Sequence, residues 1–325
     1  MELLPLKGQH HVSAITANAK ENLHFYTEIL GMRLVKKTVN QDDTSVYHLF
    51  YADEKGNPGT DLTFFEIPHA GSTYEGTNSI SMTSLRVPND AALDYWLNRL
   101  TEYKVEHEAI TEDSGRKAIH FRDFEGQRLQ FVSDEHNKGV AGGKPWDKSP
   151  VPAHVGVVGL GPVRLTVSRP DVSARVLVEV MGFREIAGYT EQDQTIRVFE
   201  TGEGGTGAEI HLLERNDVQR ERPGRGSVHH VAFRVENQEE LMKWVDHITA
   251  SGMPNSGFVE RYYFRSLYFR EPNGILFELA TDGPGFEGDE SFETLGETLA
   301  LPPYLENQRE QIEANIKPLH TAKKD

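Results

Sequence analysis

The 325-residue chain contains no cysteine, which excludes disulfides, thiolate metal sites and cysteine nucleophiles. Basic residues are also scarce: 34 Lys and Arg against 50 Asp and Glu leave a formal net charge of −16 at pH 7. A nucleic-acid or anionic-membrane partner would call for a basic face, and no run of Lys or Arg supplies one. No apolar stretch approaches the ~20 residues that span a bilayer. The opening Met1-Glu-Leu-Leu-Pro-Leu-Lys7 lacks the basic, apolar and small-residue zones of a signal peptide, so a cytoplasmic protein is the expectation. Also missing are a Gly-x-Gly-x-x-Gly turn after a strand, a phosphate-cradling Walker loop and a Gly-x-Ser-x-Gly elbow. The Gly-rich stretch from Gly202 to Gly207 precedes a strand and reads as a hairpin loop.

What the chain does have is repetition, which decides how every motif is interpreted. Ser79-Ile-Ser-Met-Thr-Ser-Leu-Arg-Val87 matches Ser227-Val-His-His-Val-Ala-Phe-Arg-Val235. At the same offset, His120-Phe-Arg-Asp-Phe-Glu-Gly-Gln-Arg-Leu-Gln-Phe131 matches Tyr268-Phe-Arg-Glu-Pro-Asn-Gly-Ile-Leu-Phe-Glu-Leu279. Phe25 to Arg33 resembles Val176 to Arg184, each a helix closed by Gly, and Asp61 to Glu66 resembles Glu209 to Glu214. Four units follow, starting near residues 8, 78, 160 and 226. Each reads as a short alternating strand, a helix-period segment and three further strands separated by turn clusters such as Pro272-Asn-Gly274.

The fold class is therefore α+β, with the pattern βαβββ four times over. Single cores rarely grow past ~250 to 300 residues, so two domains of two units each are expected. Their bounds are 1–138 and 153–282, with the Gly- and Pro-rich 139–152 as linker and a C-terminal extension over 283–325. Within the extension, Leu301 to Ile316 reads as a Pro-initiated helix that docks Tyr304, Leu305, Ile312 and Ile316 against the second domain or a partner subunit.

The differences between the repeats carry the chemistry. Unit four has His230 where unit two has Met82, and Glu278 where unit two has Gln130; unit one opens with His11. The first and last strands of a curled βαβββ sheet can both face its concave side, so His230 and Glu278 converge, and His11 joins them if units one and four meet. Two imidazoles and one carboxylate leave positions open on a divalent metal, the arrangement of non-haem Fe(II) oxygenases. Structural zinc sites are closed and usually contain cysteine. Pro162 and Glu214 of unit three, like Met82 and Gln130, suggest that units two and three serve as scaffold.

The paired units, the His-His-Val openings, the Pro-Asn-Gly turn before Phe277-Glu278 and the Leu301-Pro-Pro-Tyr-Leu-Glu306 tail resemble the vicinal oxygen chelate superfamily over nearly the whole chain. Within it they look like the ring-cleaving hydroquinone 1,2-dioxygenases. That resemblance implies paired curled mixed sheets and Fe2+ held by His11, His230 and Glu278. It also implies catalytic residues at His10, His229, Arg261 and Tyr268, and a small aromatic substrate with O2. The role implied is hydroquinone detoxification or aromatic catabolism. His10 and His229 adjoin the ligands and, on regular strands, point away from them unless a bulge intervenes.

Two other readings remain. Glu66 sits at a Phe-Phe-Glu that matches Phe-Glu278; as a fourth ligand it would make the site resemble a glyoxalase-like isomerase. A quinone- or drug-binding protein of the same fold would need no metal ligands. The choice between hydroquinone and catechol stays open, as do a homo-oligomer and the partner of unit one, intramolecular or swapped across a dimer.

Overall fold

The computed structural model describes residues 3–321; residues 1–2 and 322–325, the outer ends of the expected first domain and extension, lie outside them. The four βαβββ units are present. Unit one comprises β1 (Gln9–Thr16), α1 (Ala19–Leu23, running on as a wide π turn His24–Ile29), β2 (Arg33–Val39), β3 (Tyr47–Ala52) and β4 (Asp61–Glu66). Unit two has β5 (Ser79–Val87), α2 (Asp90–Glu102), β6 (Thr111–Asp113), β7 (Arg116–Arg122) and β8 (Arg128–Ser133). Unit three has β9 (Gly159–Val167), α3 (Pro170–Arg175, continued by a π turn Val176–Val180), β10 (Arg184–Glu191), β11 (Gln194–Glu200) and β12 (Glu209–Glu214). Unit four has β13 (Val228–Val235), α4 (Gln238–Ala250), β14 (Val259–Glu260), β15 (Arg265–Arg270) and β16 (Leu276–Thr281).

Local sequence sets these boundaries. Asn18, Asn89 and Asn237 each accept a backbone N–H three residues on, capping α1, α2 and α4, while Pro170 opens α3. Leu93, Trp96 and Leu100 on α2, and Leu241, Trp244 and Ile248 on α4, recur at helical spacing and are buried. Each such side chain contributes about 1.5–3 kcal/mol by leaving water. Trp96 is fully buried and its Nε1 donates to the Val155 carbonyl at 2.7 Å, so Trp96→Ala would open the largest hole in that half.

The strands form two eight-stranded sheets, ordered β14-β15-β16-β13-β1-β4-β3-β2 and β10-β11-β12-β9-β5-β8-β7-β6. Antiparallel pairing of β1 with β13 joins units one and four, and pairing of β5 with β9 joins units two and three. Each sheet thus takes one unit from 1–138 and one from 153–282, and the unit-one partner lies within the same chain. The two connections between units run side by side, bridged at Ser72–Arg225, Tyr74–Arg222 and Thr77–Arg220. The 139–152 stretch is packed down, with Val151 buried and Arg86 donating to the Val140 carbonyl at 2.9 Å. Among the described residues no helix is long and apolar enough to cross a membrane.

The extension differs from its sequence reading. Leu301 to Leu305 is irregular, and helix begins only with a 3-10 turn at Glu306–Gln308 and α5 at Arg309–Asn315. Leu305, Ile312 and Ile316 are buried, but Tyr304 is 54% exposed. The segment docks on β2 and β3 of unit one: Tyr47 Oη donates to the Lys317 carbonyl, and Lys37 Nζ to that of Leu319. The reason lies earlier in the extension, where the fully buried Lys36 on β2 pairs with Asp289 and Glu290 and pulls the chain across the first sheet.

Candidate metal centre

His11 on β1, His230 on β13 and Glu278 on β16 meet on the concave face of the first sheet. His11 Nε2 lies 3.1 Å from His230 Nε2 and 3.1 Å from Glu278 Oε2; His230 Nε2 lies 2.9 Å from the same oxygen. All three residues are buried. Glu278 Oε1 accepts the Ser266 hydroxyl at 2.5 Å, but Oε2 is buried without an aligned hydrogen bond although both imidazoles are within ion-pair distance. Three donors converging on a point, one of them an orphaned carboxylate oxygen, is the pattern a cation completes.

The edges of this triangle fit a metal. Donors at right angles, each about 2.1 Å from an ion, stand about 3.0 Å apart, whereas tetrahedral donors stand about 3.4 Å apart. The observed 2.9–3.1 Å matches three neighbouring corners of an octahedron, which leaves three corners for other ligands.

Paired β-bulges arrange the neighbouring histidines. Gln9 pairs with Phe233 and His11 with Ala232, leaving His10 as the extra residue on β1; Ser13 pairs with His230 and Ala14 with Val228, leaving His229 as the extra residue on β13. His10 Nε2 lies 2.9 Å from the Thr281 carbonyl, which can only accept, so this nitrogen carries the proton of a neutral ring. Burial, with His11 adding to it, pushes His10 down to about 3, so it is neutral. His10 Nδ1 therefore accepts from His11 Nδ1–H at 3.0 Å, and the His11 Nε2 lone pair faces the cluster. His229 Nδ1 stands in the same relation to His230 Nδ1, at 2.8 Å. If His230 likewise turns its Nε2 lone pair inward, His229 holds its proton on Nε2. Burial also lowers His229, to about 4, and lowers His230. Burial pushes Glu278 up, but His11 and His230 outweigh it and hold the carboxyl well below the usual range.

The cluster opens onto a cavity of about 400 Å3, walled by Phe50, Phe65, Phe264 and Leu276 and reached by His48, His229, Arg261 and Tyr268. Tyr268 stands directly across from Glu278 in the β15–β16 ladder, and its hydroxyl accepts Arg261 Nε–H at 3.1 Å. Burial, then Glu278, raises the Tyr268 hydroxyl. Arg261 grips Asp42 through both terminal nitrogens, at 3.1 and 2.9 Å. Of the seven residues read as metal-binding or catalytic, His10 stands behind the cluster and the other six line the cavity.

Glu66 is not in the cluster. In the ladders Ser13 faces Thr63 and Ala232 faces Glu278, so the unit-one position matching Glu278 is Thr63, three residues earlier. Glu66 instead accepts the Ala19 backbone N–H at 2.8 Å at the start of α1. By the same register, unit three presents His211 and not Glu214, which is exposed. Sequence reading also passed over His48, Ser266 and Asp42. His48 alternates with Phe50 on β3, a period-two signal that was available.

Comparison with known proteins agrees with this architecture. The chain is 54% identical over 97% of its length, and the whole of the relative, to "Putative ring-cleaving dioxygenase MhqA" of Bacillus subtilis (strain 168). It is 29% identical, over 94% of itself and 95% of the relative, to "Chlorohydroquinone/hydroquinone 1,2-dioxygenase" of Sphingobium indicum. A crystal structure of a "putative dioxygenase" from Bacillus subtilis superposes with a TM-score of 0.87 at 35% identity, covering 97% of this chain and 98% of that one. The family model described as Glyoxalase/Bleomycin resistance protein/Dioxygenase superfamily matches residues 8–131 and 159–279, one match on each side of the central stretch. The chain belongs to the Glyoxalase/Bleomycin resistance protein/Dioxygenase superfamily.

Proposed function

We propose that the chain is an Fe(II)-dependent ring-cleaving dioxygenase that opens hydroquinone-type or catechol-type rings with O2. The observation that carries this reading is the open three-donor cluster of His11, His230 and Glu278 on an aromatic-walled cavity. Iron held there would lower the pKa of a phenol and bring it and dioxygen side by side for reaction. An isomerase of the glyoxalase kind would want a second carboxylate at the metal, and the register of β4 removes Glu66 from that place. A binding protein would have no use for a buried carboxylate oxygen facing two imidazoles without an aligned hydrogen bond.

The residues of the chain supply the rest. Phe50, Phe65 and Phe264 line the cavity beside the cluster and offer faces for a flat substrate. Glu278 is fixed by Ser266, and His10 sets the tautomer of His11. The Tyr268 hydroxyl, oriented by Arg261 Nε–H, holds a proton at neutral pH as any phenol does and can donate it to oxygen developing negative charge. His229 Nε2 is the second candidate proton donor on the cavity. The test is oxygen uptake by anaerobically iron-loaded protein given hydroquinone or catechol, with mass spectrometry of the product. Iron-dependent uptake with both oxygen atoms found in a ring-opened product is expected; no uptake with any dihydroxybenzene despite bound iron overturns the reading.

A further inference from the structure

The cluster alone does not choose between a ring with adjacent hydroxyls and one with opposed hydroxyls. A strand farther along the same sheet offers a group that does. His48 on β3 lines the cavity, two strands away from His11 in the order β1, β4, β3. Its ring is held between Phe50 and Phe65, with centroids 4.0 and 4.3 Å away. Its Nε2 lies 3.0 Å from Thr63 Oγ1, which in turn lies 2.7 Å from Ser13 Oγ. Thr63 occupies the place that Glu278 holds in unit four, so the carboxylate of one repeat is replaced in the other by a hydroxyl pair that fixes an imidazole.

Two aromatic rings and one hydrogen bond over-determine the orientation of His48. Among the described residues no hydrogen bond engages its Nδ1. A rotamer locked by packing, with one polar atom left over in an apolar wall, is how a pocket selects a ligand group. Two strand spacings amount to about 10 Å at the backbone, and inward-pointing side chains shorten the gap to the scale of one aromatic ring.

We propose that His48 is a substrate-binding residue that takes the second hydroxyl of a para-diol while the first sits at the His11–His230–Glu278 cluster. The proposal rests on the dioxygenase reading for the cluster end only. A para-diol places its two oxygens on opposite edges of the ring, so that one can sit at the cluster while the other reaches toward β3. An ortho-diol directs both to the cluster and leaves His48 without a partner. A site built to hydrogen-bond a hydroxyl discriminates strongly against a ligand lacking it.

The experiment is anaerobic calorimetry of the iron-loaded protein with hydroquinone, phenol and catechol, for the wild type, His48→Phe and His48→Gln. Iron content of each variant serves as the fold control. The wild type is expected to bind hydroquinone roughly 10-fold or more tighter than phenol, the scale of one buried hydrogen bond. His48→Phe keeps the packing between Phe50 and Phe65 and should erase that preference without weakening catechol; His48→Gln should restore part of it. Equal affinity of the wild type for hydroquinone and phenol overturns the proposal, as does equal weakening of all three ligands in His48→Phe. Failure of the dioxygenase reading shows separately, as absent oxygen uptake with the binding preference intact.

Discussion

The two sheets share a topology, yet the cavity on the first concave face measures about 400 Å3 and the one on the second, beside Met82 and His120, only about 170 Å3. At the second-sheet positions matched to His11, His230, Glu278 and Thr63 stand Pro162, Met82, Gln130 and His211. Asp113 accepts from Gln130 Nε2 at 2.6 Å and pairs with His120 Nε2 at 2.7 Å. Arg116 grips Glu209 with both terminal nitrogens, at 2.9 and 2.6 Å, and His211 Nε2 lies 2.9 Å from the same carboxylate. Tyr189 Oη links His211 Nδ1, at 3.0 Å, to Arg164 Nη2, at 3.2 Å, and Arg164 reaches Glu191 at 2.6 Å. The second face does not lack histidines and carboxylates. It sets its carboxylates against arginines, Arg116 on Glu209 and Arg164 on Glu191, whereas Glu278 Oε2 faces only two imidazoles. A metal site on this scaffold depends on keeping arginine away from the carboxylate, not only on having donors.

The sharpest way to break this comparison is Glu278→Gln, which gives the first sheet the amide that Gln130 gives the second. Oxygen uptake should fall on the order of 1,000-fold, because the ion and its Lewis acidity go together. Elemental analysis after gel filtration should find no iron; a variant that keeps iron and turnover would dissolve the distinction between the halves.

Next in size is Arg164→Met. Removing one member of a buried ion pair strands its partners and should cost about 3 kcal/mol in urea unfolding, with iron content unchanged. A loss of iron in this variant would mean that the halves are not separable in function.

The acid limb of stability sharpens the contrast further. Burial pushes Glu209 up, but His211 and Arg116 outweigh it and bring the carboxyl down from 4.5 to about 2. Its ionised form is thus favoured in the folded state: the stabilisation is complete above the unfolded value and is lost as pH falls through the folded one. Glu209→Gln should be less stable than wild type near neutral pH and should lose less stability between about pH 4.5 and 2, a difference that denaturant titrations at several pH values would detect.

The smallest effect belongs to Glu66→Gln. Its carboxylate serves the start of α1, so about 1 kcal/mol of stability is at stake, while iron content and oxygen uptake should hold. Loss of iron here would restore the four-ligand site.

Repetition made the scaffold legible in the sequence. The four βαβββ units and the convergence of His230 with Glu278 follow from alternation and matched motifs, while His11 joins them only on the condition that units one and four meet. Sheet partnership did not, because β1 pairs with a strand more than 200 residues away and no local signal encodes that choice. The Phe-Phe-Glu match misled by three residues: sequence similarity at β4 aligned glutamates, but the ladder register aligns Thr63 with Glu278. The places of His10 and His229 rest on two bulges, and bulges depend on strand pairing that a single strand does not reveal. The ion network of the second sheet was hidden for the same reason, since Arg116, Arg164 and His211 come together only across strands.

The most direct test is anomalous scattering at the iron edge from crystals grown anaerobically with Fe(II). We expect one peak per chain, within bonding distance of His11 Nε2, His230 Nε2 and Glu278 Oε2, and nothing on the second concave face. A peak between Asp113 and His211, or an empty first site in crystals of iron-loaded active protein, would contradict the assignment of the chemistry to one half of the molecule.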